Sequence, residues 1–578
     1  MATPPDHLNP STTRPGWRGR LRVPEGEFIW ETIVLLAFSV YFLTYGLTPY
    51  FGGDQLGLVG ADEPRYAQVA REMLNRHDYV TPILYGMPWL EKPALFYWRA
   101  MFSFQEFGVH DWAARLPSTS FAFALTVLIF LHMRRFRPGG QLHAALLTLS
   151  AAAVIGFSRG ASTDMQLAAP LCIGMLGWYA WYETGSKFWL FDLYFFVGAG
   201  TLAKGPIAPA IALITIGIFV ALRREWSVLR RSFWWPGMLL YLAIVLPWFI
   251  AVQRRNPDFL KIFFLQHNLE RFATDRFHHH QPLYYYFPVL LIGLVPWTIL
   301  AAAAFVDAVK NAVTEWRFRR NVNRYIWLPR AGDAFPEFLV VWAIFPLIFF
   351  SFSGSKLPGY VLPSIPAITI LTGDYLNRMR SRGLPHWLMA THGLFVGGVT
   401  TCVLLLPRFI VDGNVVPRGQ PLYIAIGCGL IVATLLLLVG WRFHAGRLRS
   451  ATMIPIVLLI FFLLHLNGPL LDAIYSARPL ARELEPIALL SPETPNIPQT
   501  VAVFHTRRDV EYGISFYRNQ RVLNYRNDGV PLDAHLLVTR TGSLPEAQQL
   551  LGKRETVFLI RDAAQDLDVY LVAPASHM

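Results

Sequence analysis

The chain has 578 residues, of which 54% are hydrophobic and only 15% charged, against roughly 25% charged in an ordinary soluble domain. This excludes a water-soluble globule as the default. A formal charge of +13 on so apolar a chain points to basic loops along an anionic membrane face rather than to nucleic acid, and Cys172, Cys402 and Cys428, all in apolar runs, offer neither a disulfide scaffold nor a cysteine metal cage.

Residues 1–28 are polar and Pro-rich with no apolar core, and read as a cytoplasmic tail, not a cleaved signal peptide. A bilayer-crossing helix needs about 20 largely apolar residues. That ruler gives about thirteen candidates, centred near Leu36, Leu125, Ala151, Ile173, Phe195, Ile214, Ala243, Leu291, Ala343, Pro366, Phe395, Ile431 and Leu459. With the amino terminus inside, the cytoplasmic loops collect Arg134, Arg135 and Arg137, then Arg223 to Arg231, Arg317 to Arg324, Arg378 to Arg382 and Arg442 to Arg449, in step with the positive-inside rule. The long segments Phe51 to Asp111 and Gln253 to Pro282, and everything beyond about Asn467, then fall outside.

The first outer loop contains Asp62-Glu63-Pro64-Arg65-Tyr66, with Pro64 suited to the first residue of a helix. An aromatic helix is expected to begin within Trp89 to Trp98, so that two amphipathic helices lie in the interface. Asp62 and, in the next outer loop, Asp164 read either as helix caps or as two carboxylates facing one cavity, where a like-charged pair could act as a base or hold a cation. Lys92, Lys204, Arg271 and Lys356 stand at outer ends, against the positive-inside trend. A phosphate bound there accounts for all four at once, whereas snorkelling anchors would account for each singly. Glu91, His267 and one of His278 to His280, His279 for preference, could form an oxygen-and-nitrogen zinc set, or the histidine run could simply be solvated. No Walker loop or dinucleotide fingerprint is present, so any energy for a reaction must come with the substrate.

The tail from 467 to 578 alternates strand-like runs (Val501 to Phe504, His535 to Val538, Val557 to Ile560) with helical ones (Leu480 to Leu490, Leu544 to Leu551), a small outer α/β domain. The expected architecture is therefore a cytoplasmic tail (1–28), a polytopic membrane domain (29–466) and a periplasmic α/β domain (467–578).

Taken together, the Asp62-Glu63 loop, the Leu90-Glu91-Lys92-Pro93-Ala94 segment, the Lys356-Leu357-Pro358-Gly359-Tyr360 stretch and the outer tail resemble the membrane glycosyltransferases of the GT-C fold. Within it the likeness is to the lipid A 4-amino-4-deoxy-L-arabinose transferases, relatives of the protein O-mannosyltransferases. The resemblance implies an inverting pentosyl transfer from undecaprenyl phosphate to a lipid A phosphate on the periplasmic side of a bacterial inner membrane, and with it polymyxin resistance. It implies Asp62 as the essential first-loop aspartate, accompanied by Glu63, with Asp164 as a second acidic position. Lys92, Arg271 and Tyr360 are implied as lipid-phosphate contacts. Arg65, Tyr66, Tyr85, Lys204, Lys356 and Glu511 complete the expected substrate-binding set. No cofactor is implied for catalysis, and zinc, if bound, is structural. The partners are membrane lipids, the polyprenyl donor and the lipid acceptor, with a monomer favoured. Two other readings stay open: another polyprenyl-phosphate-dependent glycosyltransferase acting on lipopolysaccharide sugar or protein Ser/Thr, and a lipid flippase.

Overall fold

The structure, a computed structural model, describes residues 25–270, 281–322, 333–413, 415, 417–442, 445–489 and 500–575. It opens with α1 (Glu25–Thr44), α2 (Asp62–Asn75), α3 (Leu95–Phe107), α4 (Asp111–Phe136), α5 (Gln141–Leu149), α6 (Ala152–Ser158), α7 (Asp164–Thr184), α8 (Phe188–Lys204) and α9 (Ile207–Arg223). Among the described residues six helices are long and apolar enough to cross a bilayer: Gly26–Thr44, Asp111–Phe136, Trp235–Arg255, His386–Val411, Gln420–Arg442 and Gly446–Leu466. Two bent pairs, α5 with α6 (60°) and Leu283–Gly293 with Thr298–Thr314 (116°), bring the number to eight if each pair crosses once. The expected crossings near Ala151 and Leu291 fall on these bent pairs. Near Pro366 a 3-10 turn, Pro358–Ser364, precedes the helix Ile365–Arg382.

The bundle core is aromatic. Trp178 stacks on Phe338 at 5.5 Å, and Tyr179 on Phe338 at 4.9 Å. Small residues let backbones meet, as membrane helices favour: a Cβ on Gly429 would stand 2.6 Å from the Gly397 carbonyl oxygen. Leu430, Ile431, Ile454 and Leu458 instead face outward and are exposed, which only a lipid solvent rewards. The chain is a polytopic helical membrane protein.

Residues 500–575 form a five-stranded sheet, with β1 (Ile83–Leu84) and β2 (Met87–Pro88) a separate hairpin in the first loop. In the sheet, β3 (Thr500–Phe504) pairs in parallel with β4 (Leu523–Asn524) and β5 (His535–Arg540), while β7 (Leu567–Val572) lies antiparallel between β5 and β6 (Thr556–Asp562). The sequence reading contains β3, β5 and β6, together with the helix Leu544–Leu551. The unit sits on the first loop: the Leu58 amide donates to Tyr517 Oη (2.7 Å), and Arg71 Nη1 to the Phe516 carbonyl (2.9 Å).

Candidate functional site

Helix α2 begins at Asp62, so Pro64 is its third residue and not its first. One turn on, Arg65 Nη2 donates to Asp62 Oδ1 at 2.5 Å. The Asp62 side chain is 56% exposed and that of Arg65 only 11%, because the guanidinium lies among the rings of Tyr66, Trp89 and Tyr512 at 5.2, 5.1 and 5.5 Å. Glu91 Oε2 stands 4.0 Å away. Burial opposes the Arg65 charge, but Tyr66, Asp62 and Glu91 outweigh it and hold the guanidinium protonated more firmly than usual. Burial likewise pushes the Tyr66 phenol up, reinforced by Asp62.

Helices α7 and α8 pack against each other with a short connection, so the first residue of one and the last of the other meet at one end. There Lys204 Nζ donates to Asp164 Oδ1 at 2.5 Å, and Ser162 Oγ to Oδ2 at 3.2 Å. Asp164 is therefore an ion-pair partner and makes no cap bond. Gly359 allows the Lys356-to-Tyr360 stretch to approach, since a Cβ there would stand 2.5 Å from Asp164 Oδ1. Lys204 Nζ also lies 5.3 Å from the centre of the Tyr360 ring, and Lys92 is close enough to act electrostatically on Asp164. Lys356 is buried and donates to the Ser353 carbonyl at 2.8 Å.

Asp62 and Asp164 line one chamber of about 340 Å³, with Glu63, Ser162 and the small Gly156 and Gly160. The two carboxylates envisaged from sequence thus face one cavity, each with its own cation, Arg65 for Asp62 and Lys204 for Asp164. Glu63 is a further carboxylate of the lining. It is buried, and its Oε2 accepts from Arg115 Nε (3.1 Å) and Nη2 (2.7 Å), while Arg115 also holds the Leu56 and Gly57 carbonyls. Glu63 thus fixes the start of α2 through Arg115 while lining the chamber.

The hairpin turn Tyr85-Gly86 has φ of +55° and +79°, and Glu72 accepts from both amides (2.9 and 3.0 Å), which suits a primed turn. It brings the Tyr85 ring to 6.5 Å from Tyr512. Glu511, on the same helix as Tyr512, accepts from Asn524 at 3.0 Å. The helix Arg508–Arg518 thus reaches the Arg65 cage, a contact sequence reasoning anticipated only through Glu511; Tyr512 itself was missed.

Of the expected metal set, His267 Nε2 and Glu91 Oε1 are 3.9 Å apart, and Arg65 shares Glu91. Among the described residues no group of three such ligands converges. His279, like His278, His280 and Arg271, lies outside the described residues.

A family model described as dolichyl-phosphate-mannose-protein mannosyltransferase matches residues 32–263. The fold is shared with the crystal structure of ArnT from Cupriavidus metallidurans in the apo state (TM-score 0.72, 20% identity, covering 95% of this chain and 98% of that one). It is shared equally with the same protein bound to undecaprenyl phosphate (TM-score 0.68, 21% identity, 95% and 98%). This likeness defines the class as a polytopic membrane protein of ArnT architecture. Two curated relatives are undecaprenyl phosphate-alpha-4-amino-4-deoxy-L-arabinose arabinosyl transferases. That of Edwardsiella ictaluri is 30% identical over 65% of this chain and 66% of its own length. That of Aeromonas hydrophila is 31% identical over 66% and 68%. The chain spans about two thirds of the length of the curated relatives it matches, and it belongs to this arabinosyl transferase family.

Proposed function

We propose that the chain transfers 4-amino-4-deoxy-L-arabinose from undecaprenyl phosphate to a lipid A phosphate, in the chamber between Asp62 and Asp164. One observation carries the reading: in a member of this family, an exposed aspartate and a Lys-paired aspartate line one cavity where membrane helices end. About thirteen crossings with the amino terminus in the cytoplasm would put that chamber, and residues 467–578 as a small α/β domain, in the periplasm of the inner membrane.

The polyprenyl tail partitions into the bilayer and presents the donor at the surface. An anionic phosphate oxygen of lipid A attacks the anomeric carbon, the bond from that carbon to the donor phosphate oxygen breaks, and undecaprenyl phosphate leaves with its charge, inverting the sugar. Lys92 and the Lys204–Tyr360 pair stand near Asp164 to receive the leaving phosphate, with Arg271 assigned to it by the family resemblance alone, since preplaced cations stabilise charge that develops in the transition state. The nucleophile is already ionised, so Asp62 need not remove a proton; it orients the reactants and holds the amino group of the sugar. Tyr66 and Tyr512 pack round Arg65, the partner of Asp62, and Tyr85 and Glu511 take their substrate role from the family resemblance. No step requires a metal.

The test is mass spectrometry of lipid A before and after expression. An added aminopentose supports the reading, and labelled lipid crossing the membrane with no covalent product would replace it with a flippase.

A further inference from the structure

A second cavity, also of about 340 Å³, lies at the seam between the first loop and the C-terminal unit. Its wall is aromatic. Tyr50, Phe107 and His110 gather round Trp112 at centroid distances of 6.4, 5.2 and 6.1 Å. Its floor is polar. Arg478 is held by Asp54 (2.8 Å), Asp111 (3.0 Å) and Asp472 (2.7 Å), yet Asp54 Oδ1 is buried without a hydrogen-bond partner. Arg71 is 8% exposed, spends Nη1 on the Phe516 carbonyl, and leaves Nε equally unpartnered. Buried polar atoms left unmatched are costly, and both belong to side chains that line the cavity.

An aromatic wall, with His110 parallel to Trp112 at 7° and Tyr50 edge-on to it at 81°, facing paired carboxylates and guanidinium groups suits a ligand with C–H faces on one side and many hydroxyls on the other. The volume falls within the range of small-molecule sites, roughly 300–1,000 Å³. The mouth is at the bilayer surface, because Tyr50 follows the end of α1 and Trp112 begins α4, two of the long apolar helices. Tyr50 is 87% exposed there, as an interfacial aromatic is. The Glu63–Arg115 pair links the two regions: Glu63 lines the chamber, and Arg115 bonds the carbonyl of Gly57, whose amide donates to Asp472.

We infer that the seam cavity is a saccharide subsite that takes the sugar headgroup of a membrane glycolipid. Its saccharide chemistry stands on the cavity alone; identifying the glycolipid with the acceptor rests on the transfer reading above.

The probe is a bis-phosphorylated glucosamine disaccharide, added to the full chain in nanodiscs and followed by saturation-transfer-difference NMR. Transfer kinetics with the intact glycolipid are measured in parallel. Saturation of the ring protons is expected in the wild type and in Asp62→Asn, and its loss in Tyr50→Ala and in Asp54→Asn. Tyr50→Ala is also expected to raise KM for the glycolipid about threefold to tenfold, the worth of one aromatic contact, with kcat unchanged. A disaccharide signal unaltered in Tyr50→Ala, or abolished by an excess of inorganic phosphate, overturns the inference. Disaccharide binding in a wild type that transfers nothing to any acceptor would sink the transfer reading and leave the subsite standing.

Discussion

Glu63 Oε2 accepts two N–H donors of Arg115, at 3.1 and 2.7 Å, with both side chains almost wholly buried. The pair ties the first turn of α2 to the start of α4 and so sets where Asp62 projects. Removing one partner of a buried pair leaves an uncompensated charge, typically worth 3–5 kcal/mol. Glu63→Gln is therefore expected to lower the thermal midpoint in detergent by several degrees and to reduce the yield of folded protein, with the folded fraction keeping its KM for donor. A variant as stable as the wild type but inactive would return Glu63 to the chemistry.

Lys204 and Asp164 form the second pair, 2.5 Å apart at adjacent helix ends and mostly buried. Lys204→Met and Asp164→Asn should each destabilise, and the double variant should recover part of the loss, with a coupling of roughly 0.5–3 kcal/mol. A thermal-unfolding double-mutant cycle reads this directly. Additive losses would mean that the two side chains act separately.

Gly359 is demanded by proximity to Asp164, not by its backbone angles. Gly359→Ala places a Cβ 2.5 Å from Asp164 Oδ1, and because backbone and an ion pair must give way together, transfer is expected to fall well below half. Unchanged turnover in Gly359→Ala would show that the 358–360 turn moves freely away from Asp164.

The C-terminal unit carries its own pH sensitivity. His535 is buried on β5, shares a 2.5 Å hydrogen bond with Tyr525, and burial holds its imidazole below the ordinary value of 6.5. A group depressed in the folded state contributes stability above its unfolded pKa and loses it as pH falls. Hydrogen exchange in residues 500–504 and 535–540 should therefore show opening that becomes easier from about pH 6.5 downward, beyond the intrinsic exchange trend. His535→Asn should flatten that slope; an equal slope in the variant assigns the effect elsewhere.

Much of this architecture was legible because membranes impose length and charge rules that a single sequence exposes. Long apolar helices such as Gln420–Arg442, and the first-loop helices α2 and α3, follow from run length and amphipathicity. Lys92 and Lys204 stood out because, on the orientation expected from sequence, they break the positive-inside pattern, and Lys204 proved to be a partner for Asp164. What stayed hidden is long-range pairing. Nothing local marks Arg115 as the ligand of Glu63, 52 residues away, or Arg478 as the centre for Asp54, 424 residues away. Tyr512 was missed for the same reason, since its helix reaches Arg65 only through the docking of the C-terminal unit. β4 and β7 escaped because a two-residue strand has no period and β7 mixes Asp568 into an apolar run.

The central claim is that Asp62 works on substrate in the chamber and not on the fold. Its side chain is 56% exposed, so Asp62→Asn should change stability by less than about 0.5 kcal/mol. The decisive measurement is transfer by purified Asp62→Asn from polyprenyl-phosphate aminoarabinose to lipid A, with thermal unfolding of the same sample. A folded protein whose turnover falls about a hundredfold, the order of a lost positioning contact, yet stays detectable is the predicted result; wild-type turnover would contradict it.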